Sequence, residues 1–98
     1  MNNINMKSIK YHFNGEIHFD KITPFINICK VTGKTEEVNV EVTYTPSEKI
    51  IEIGSYREYF HQQFNMYIEE LCDEVFNHIN NLVEPKELTV TIYLTADN

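Results

Sequence analysis

The chain has 98 residues, of which 42% are hydrophobic, so residues 1–98 can form a single domain with its own core, and a disordered chain is excluded. Fifteen acidic against eight basic residues give a formal net charge of −7, which would repel phosphate backbones and disfavours autonomous nucleic-acid binding. No stretch approaches the roughly 18–20 apolar residues that span a bilayer, and the first residues lack the apolar core of a signal peptide, so we expect a cytoplasmic protein without membrane contact.

The first two segments with alternating apolar residues predict a β-hairpin. Apolar and polar residues alternate over residues 9–13 and again over residues 17–19, which is typical of half-buried strands. Asn14-Gly15 between them is a favoured hairpin turn. A three-residue loop is preferred to a two-residue loop because it places the apolar residues of both segments on one face.

Four further segments are predicted to form strands. They are residues 25–29, 38–44, 50–53 and 88–94. The first is a short apolar run before a turn signal at Thr32-Gly33. Residues 38–44 show the clearest alternation in the chain, and Pro46-Ser47 predicts the turn that follows them.

A helical region is predicted between the last two strands. Ser55 and Glu58 have the spacing of a capping box at a helix start. Two apolar stripes at helical spacing follow, namely Tyr56, Tyr59, Phe60 and Phe64, then Ile68, Leu71, Cys72, Val75, Phe76, Ile79 and Leu82. Whether residues 55–83 form one helix or two is left open, since no Gly or Pro forces a break near residue 65. The order of elements predicts an α+β fold whose antiparallel sheet is covered on one face.

Cys29 is the candidate nucleophile. With no export signal, Cys29 and Cys72 are expected to be free thiols rather than a disulfide framework. Free cysteines are most often buried packing residues, and Cys72 lies on an apolar helix stripe, where packing is expected. Cys29 ends a strand beside a turn, a position that also allows the partial exposure and polar neighbours of a reactive thiolate.

Carboxylates provide the other candidate groups. Four acids lie between residues 69 and 74, where the macrodipole of a helix start favours them. The alternative is that one of them turns inward to accept two N–H groups from a heterocyclic base. Glu52 stands in an apolar run, where burial without a partner would cost several kcal/mol, although an edge strand would point it at solvent.

No metal site is predicted from the spacing of possible ligands. The histidines are His12, His18, His61 and His78. None of them stands near a cysteine in the spacing of a zinc site, so we expect no bound metal.

The segment Cys-Lys-Val-Thr-Gly-Lys-Thr-Glu-Glu at residues 29–37, with the strand after it and Glu84-Pro85, resembles a known family. The likeness is to the NADPH-dependent 7-cyano-7-deazaguanine reductases of queuosine biosynthesis and their shorter non-reductive relatives. Their pattern is Cys-Pro-x-Thr-Gly-Gln-Pro-Asp-Phe, then Glu-Ser-Lys-Ser at a helix entrance, and the likeness covers about residues 17–95. It implies the tunnelling fold, in which sheets with two helices join into barrel-like homo-oligomers whose sites lie between subunits.

The resemblance also implies roles for individual residues. The family's nucleophile falls on Cys29, whose thiolate would add to the nitrile carbon and give a covalent thioimide. The family's acid, an aspartate, falls on Glu36, which would assist proton transfer. The glutamates that recognise the deazapurine fall on Glu52 and Glu69, and Ser55 matches the last serine of Glu-Ser-Lys-Ser, so these three are assigned to substrate binding.

The sequence departs from the family where the cofactor would bind. Gly54 stands in place of the first lysine of the helix-entrance motif, and Ile68 replaces the histidine before the recognising glutamate. Arg57 is the basic residue that remains as a candidate contact to NADPH. We therefore expect the substrate half of the site to be better preserved than the cofactor half.

Three functions remain open. The nominal assignment is NADPH-dependent reduction of the nitrile to 7-aminomethyl-7-deazaguanine. The first alternative is the non-reductive reaction, in which ammonia or an amine attacks the same thioimide to give an amidine. The second alternative is a binding or assembly module that has the fold but no activity.

Overall fold

The computed structural model describes residues 5–95, which form an α+β fold with antiparallel sheets and two helices, as the sequence predicts. The elements in chain order are β1 (Ser8–Lys10), β2 (Ile17–Phe19), β3 (Phe25–Ile28), β4 (Thr35–Thr45), β5 (Lys49–Ile51), α1 (Ile53–Tyr59), α2 (Ile68–Val83) and β6 (Glu87–Leu94). β1 and β5 form a two-stranded sheet, and the other four strands form a second sheet around β4.

β4 is the central strand of the larger sheet. On one side, residues 38–45 of β4 pair with β6. On the other side, β4 pairs with β3 near its start and with β2 near its end. Val38, Val40 and Val42 are fully buried, while the residues between them are partly exposed. This alternation gives the strand one apolar face, which the helices cover, and one polar face.

The core lies between that apolar face and the two helices. Its buried apolar residues are Met6, Phe25, Val38, Val40, Val42, Tyr44, Ile51, Tyr56, Tyr59, Phe60, Phe64, Leu71, Val75, Ile79 and Val83. The aromatic residues of α1 and of the segment after it lie on the sheet, with the Phe60 ring centroid 5.0 Å from that of Phe25. In α2 the buried stripe is narrower than predicted, since Phe76 is 38% exposed. Within the described part of the chain, neither helix combines the length and apolar character needed to span a bilayer.

The predicted hairpin of residues 9–19 is wrong. β1 pairs with β5, with Ser8 opposite Ile51, whereas β2 pairs with β4, with Ile17 opposite Tyr44. The residues between them connect strands of two different sheets, and Gly15 adopts a φ of +136° there. The turn preference of Asn14-Gly15 does not produce a hairpin, because each strand pairs with a strand farther along the chain.

The start of α1 also differs from the prediction. The strand predicted over residues 50–53 ends at Ile51, and Glu52, not Ser55, is the N-cap. The Glu52 carboxylate accepts hydrogen bonds from the backbone N–H groups of Gly54 at 2.7 Å and Ser55 at 2.8 Å. The carboxylate thus satisfies two backbone donors of the first helical turn, which is the role that the predicted capping box gave to Ser55 and Glu58.

The helical region forms two helices, which answers the question the sequence leaves open. Residues 60–67 separate them, because this segment runs alongside β3. The Ile28 N–H donates to the Phe64 carbonyl at 2.8 Å, and the Phe64 N–H donates to the Ile26 carbonyl at 3.0 Å. Pairing with a strand, rather than a Gly or Pro, therefore interrupts the helix.

Candidate active site

Cys29 lies at the end of β3, in a tight loop that leads into β4; residues 29–34 are here named the Cys29 loop. The Gly33 N–H donates to the Cys29 carbonyl at 2.9 Å, and the Cys29 N–H donates to the Lys34 carbonyl at 3.0 Å. Gly33 has a φ of +71°, a left-handed conformation that favours glycine. The turn signal at Thr32-Gly33 is thus confirmed.

The Cys29 loop stabilises the thiolate form of Cys29. The backbone N–H of Thr32, then its hydroxyl, then the backbone N–H of Val31 lower the pKa of the Cys29 thiol, whereas the charge of Glu36 acts in the opposite direction. Cys29 is only partly buried. By contrast, burial and the nearby Asp73 and Glu69 raise the pKa of Cys72. A partly exposed thiol with a lowered pKa has the properties of a nucleophile rather than of a packing residue.

Glu36 is held in the same region by a buried amide. Asn27 lies directly opposite Glu36 in the pairing of β3 with β4, and it is fully buried. The Asn27 Nδ2 donates to Glu36 Oε1 at 2.8 Å and to the Met66 carbonyl at 3.0 Å, while Asn27 Oδ1 accepts from the Met66 N–H at 3.2 Å. The amide therefore fixes a carboxylate at the strand ends that carry Cys29.

Asn27 is a residue of this region that the sequence reasoning missed. It lies within the run of residues 25–29, which the sequence pattern predicts to be an apolar strand. A polar side chain at an inward position of such a strand was the available signal, since a buried amide needs partners.

The first turn of α2 contacts the Cys29 loop. Lys30 Nζ lies 3.0 Å from Glu70 Oε1, and the same carboxylate accepts the Tyr67 backbone N–H at 3.0 Å. The Tyr67 N–H and then Lys30 lower the pKa of Glu70. Glu69 is exposed beside it, and no hydrogen bond or ion pair of Glu69 is found within residues 5–95. Of these two acids, Glu69 is the one available to a ligand.

Glu52 and Ser55 lie toward the other end of β4. The Ile51 N–H donates to the Tyr44 hydroxyl at 2.9 Å, so the start of α1 sits over the end of the strand. Thr35 and Tyr44 are nine positions apart, which is roughly 30 Å of extended strand at about 3.3 Å per residue. Within one chain, the structure does not bring Glu52 to Cys29.

Ser55 is buried, and its hydroxyl already has two partners. It donates to the Glu52 carbonyl at 2.8 Å and accepts the Lys7 N–H at 2.7 Å. The backbone N–H groups of Gly54 and then Ser55 also lower the pKa of Glu52. Both side chains therefore have a structural role at the helix start.

Arg57 lines a small basic cleft on the surface, formed by Lys21, Ile22, Thr23, Arg57 and His61. Its volume of about 260 Å³ is below the roughly 300–1,000 Å³ of sites for drug-sized ligands. The three basic side chains suit one phosphate group, whereas a whole dinucleotide would extend beyond the cleft. Lys21 and His61 were missed from the sequence because the fold, not the spacing, brings them to Arg57.

Comparisons with known proteins show what the whole chain is similar to. No family model matches the chain. The chain is 26% identical over 69 residues to an NADPH-dependent 7-cyano-7-deazaguanine reductase of Chlorobium phaeobacteroides, an alignment that covers 68% of this chain and 58% of the relative. It is 28% identical over 68 residues to the protein of the same name from Chlorobaculum parvum, with 67% of this chain and 59% of the relative covered.

A third relative of that name, from Chlorobium chlorochromatii, is 25% identical over 68 residues, which is 67% of this chain and 59% of the relative. The chain thus spans 58–59% of the length of the curated relatives it matches. This distant similarity supports the reductase family as a whole and does not identify a specific member.

Proposed function

We propose that this chain binds a 7-cyano-7-deazaguanine nitrile and captures it as a covalent thioimide at Cys29. The observation that carries the proposal is that a thiol of lowered pKa and a carboxylate, Glu36, which Asn27 holds by a hydrogen bond, both lie where β3 ends and β4 begins. The similarity to proteins named 7-cyano-7-deazaguanine reductase supports the nitrile as the substrate class.

The capture step uses only groups in the chain and the substrate. The Cys29 sulfur forms a bond to the nitrile carbon as one carbon–nitrogen π bond breaks, and the nitrile nitrogen gains a proton. Glu36 takes the proton from the thiol and passes it to that nitrogen, so that no net charge is produced. Because the Asn27 amide bonds Oε1 of Glu36, the other carboxylate oxygen is left for this transfer.

Glu69 is proposed to recognise the heterocycle. A carboxylate can accept two parallel N–H bonds from the edge of a guanine-like ring. Glu69 projects from the first turn of α2, next to the Glu70 that bonds the Cys29 loop through Lys30. This arrangement supports a ring bound between the helix start and the thiol.

Glu52 would contribute from a second copy of the chain, with the buried Ser55 hydroxyl fixing the helix start that carries it. Glu52 lies far from Cys29 within one chain, yet each of its carboxylate oxygens retains an acceptor position besides its bond to α1. A barrel-like tunnelling-fold homo-oligomer, in which sites form between subunits, would bring this carboxylate to the thiol of a neighbour.

The fate of the thioimide separates the two enzymatic alternatives. NADPH, when bound, would supply hydride for reduction to the aminomethyl product, and Arg57 with Lys21 and His61 would hold one of its phosphates. Gly54 favours the amidine-forming alternative, because a Cβ there would lie 3.0 Å from Glu52 Oε2, so a lysine could not enter without moving the capping carboxylate. We expect weak or absent turnover with NADPH.

Intact-mass spectrometry after incubation with the nitrile base tests the proposal. We expect one adduct of the mass of the base, absent in Cys29→Ala and retained in Cys72→Ala as the matched control. No adduct on the wild-type chain would contradict the proposal and leave the binding or assembly module. If the adduct forms, NADPH oxidation followed by absorbance then distinguishes reduction from attack by ammonia.

A further inference from the structure

A second group of possible ligands lies on the polar face of the sheet, away from the helices. It consists of His18, Asp20 and Glu41, here named the His18 cluster, and one potential ligand atom of each lies within 4.8 Å of the others. His18 Nε2 is 3.2 Å from Glu41 Oε2. Glu36 is on the opposite, helix-side face of β4, so the cluster is separate from the candidate active site.

The sheet pairing fixes the position of the imidazole. His18 lies opposite Thr43 in the pairing of β2 with β4, and His18 Nδ1 is 2.6 Å from Thr43 Oγ1. In the tautomer whose Nδ1–H donates to that hydroxyl oxygen, Nε2 has the lone pair that a metal requires and points it toward Glu41. Metal-binding histidines commonly donate their other ring N–H in this way.

The carboxylates are also oriented by neighbours. The Tyr93 hydroxyl donates to Glu41 Oε1, which leaves Oε2 on the side of His18. The Lys21 backbone N–H donates to Asp20 Oδ1 at 2.7 Å. Each acid therefore keeps one oxygen available.

The charges in the cluster are not balanced. Over residues 5–95, the only ion pair formed by either carboxylate is that of Glu41 with His18. The ammonium of Lys21, the residue after Asp20, lies over the Tyr93 ring, 4.1 Å from its centroid. One imidazole cannot balance two carboxylates, whereas one divalent cation would neutralise both.

We propose that His18, Asp20 and Glu41 bind a divalent transition-metal ion of the zinc class. One imidazole nitrogen and two carboxylate oxygens are ligands that zinc accepts, whereas Mg²⁺ and Ca²⁺ prefer oxygen ligands only. Water completes the coordination, since His18 and Asp20 are exposed. The sequence predicts no metal site because no histidine has the spacing to a cysteine that zinc sites show. In the structure, the pairing of β2 with β4 brings His18 close to Glu41, which is distant in the chain.

Isothermal titration of the full chain with ZnSO₄ tests this proposal. We expect one saturable site, with affinity roughly tenfold or more weaker in His18→Ala and in Asp20→Asn, since even indirect ligand contacts are worth about that much. His12→Ala, which removes an exposed histidine outside the cluster, is the matched control and should bind as the wild type does. Both test residues are exposed, and thermal melts verify that the variants fold.

A second experiment uses Co²⁺ in place of zinc, because the absorption spectrum of bound Co²⁺ depends on the ligand atoms. We expect no intense thiolate charge-transfer band in the near ultraviolet, because the cluster has only nitrogen and oxygen ligands. The proposal is overturned by absent zinc binding, by unchanged affinity in His18→Ala, by equal weakening in His12→Ala, or by a thiolate band that places the metal on a cysteine.

Discussion

Asn27 donates an amide N–H to Glu36 across 2.8 Å, on the buried side of the sheet and two residues before Cys29. The same amide bonds both backbone groups of Met66, so it also attaches the segment before α2 to β3. One buried side chain thus connects the Glu36 carboxylate, the strand that leads to Cys29 and the segment that precedes α2 and Glu69.

Replacement of Asn27 by leucine tests this connection. We expect Asn27→Leu to lower the free energy of unfolding by roughly 1–3 kcal/mol, because the backbone groups of Met66 lose their buried partner. We also expect slower adduct formation at Cys29, because Glu36 loses its donor. Urea unfolding and time-resolved intact mass measure the two effects.

Asn39 offers the matched control for that variant. It bonds both backbone groups of Ile22, at 2.9 and 2.7 Å, but has no contact with Glu36. Asn39→Leu should therefore destabilise the chain by a similar amount while the rate of adduct formation stays near that of the wild type. Equal slowing in both variants would mean that stability, and not the position of Glu36, controls the reaction.

The reactivity of Cys29 should respond to its two neighbours in opposite directions. Because the Thr32 hydroxyl lowers the pKa of the thiol and the Glu36 charge raises it, Thr32→Val should raise this pKa and Glu36→Gln should lower it. The measurement is the pH dependence of alkylation by iodoacetamide in a Cys72→Ser background. Thr23→Val, outside the Cys29 loop, serves as the control, and a shift of the same direction in both test variants would refute the explanation.

The capping role of Glu52 predicts a pH-dependent contribution to stability. The Gly54 and Ser55 N–H groups hold the pKa of Glu52 below its ordinary value, so its contribution is present above the unfolded pKa and is lost as the pH falls through the folded value. Glu52→Gln should lower the urea midpoint at pH 7, and its difference from the wild type should shrink below about pH 4.3, the ordinary pKa of glutamate.

Glu58→Gln is the control for this variant, since Glu58 is exposed on the same helix and was the predicted partner in the capping box. Its urea midpoint should remain close to that of the wild type at both pH values. A larger loss in Glu58→Gln than in Glu52→Gln would restore the capping box predicted from the sequence.

A site shared between subunits predicts complementation. If Cys29 of one copy acts with Glu52 of another, a refolded mixture of Cys29→Ala and Glu52→Gln should form more adduct than either variant alone. The comparison is made by intact mass at equal total protein. A mixture no better than Glu52→Gln by itself would place Glu52 outside the site.

The sequence predicts the elements whose residues follow a local period. β4, β6 and the buried stripe of α2 were found this way, because alternation and helical spacing reflect the face that each element buries. The hairpin failed because pairing partners far along the chain decide which strands meet. The same cause explains why Asn27 and Lys21 could not be assigned, since their partners lie on other elements.

The most direct test of the account is to locate the adduct by peptide mass mapping after incubation with one equivalent of the nitrile base. We predict that the added mass lies on the peptide that contains Cys29 and that Glu36→Gln slows its appearance. An adduct on Cys72, or an unmodified Cys29 after the same incubation, would contradict the account.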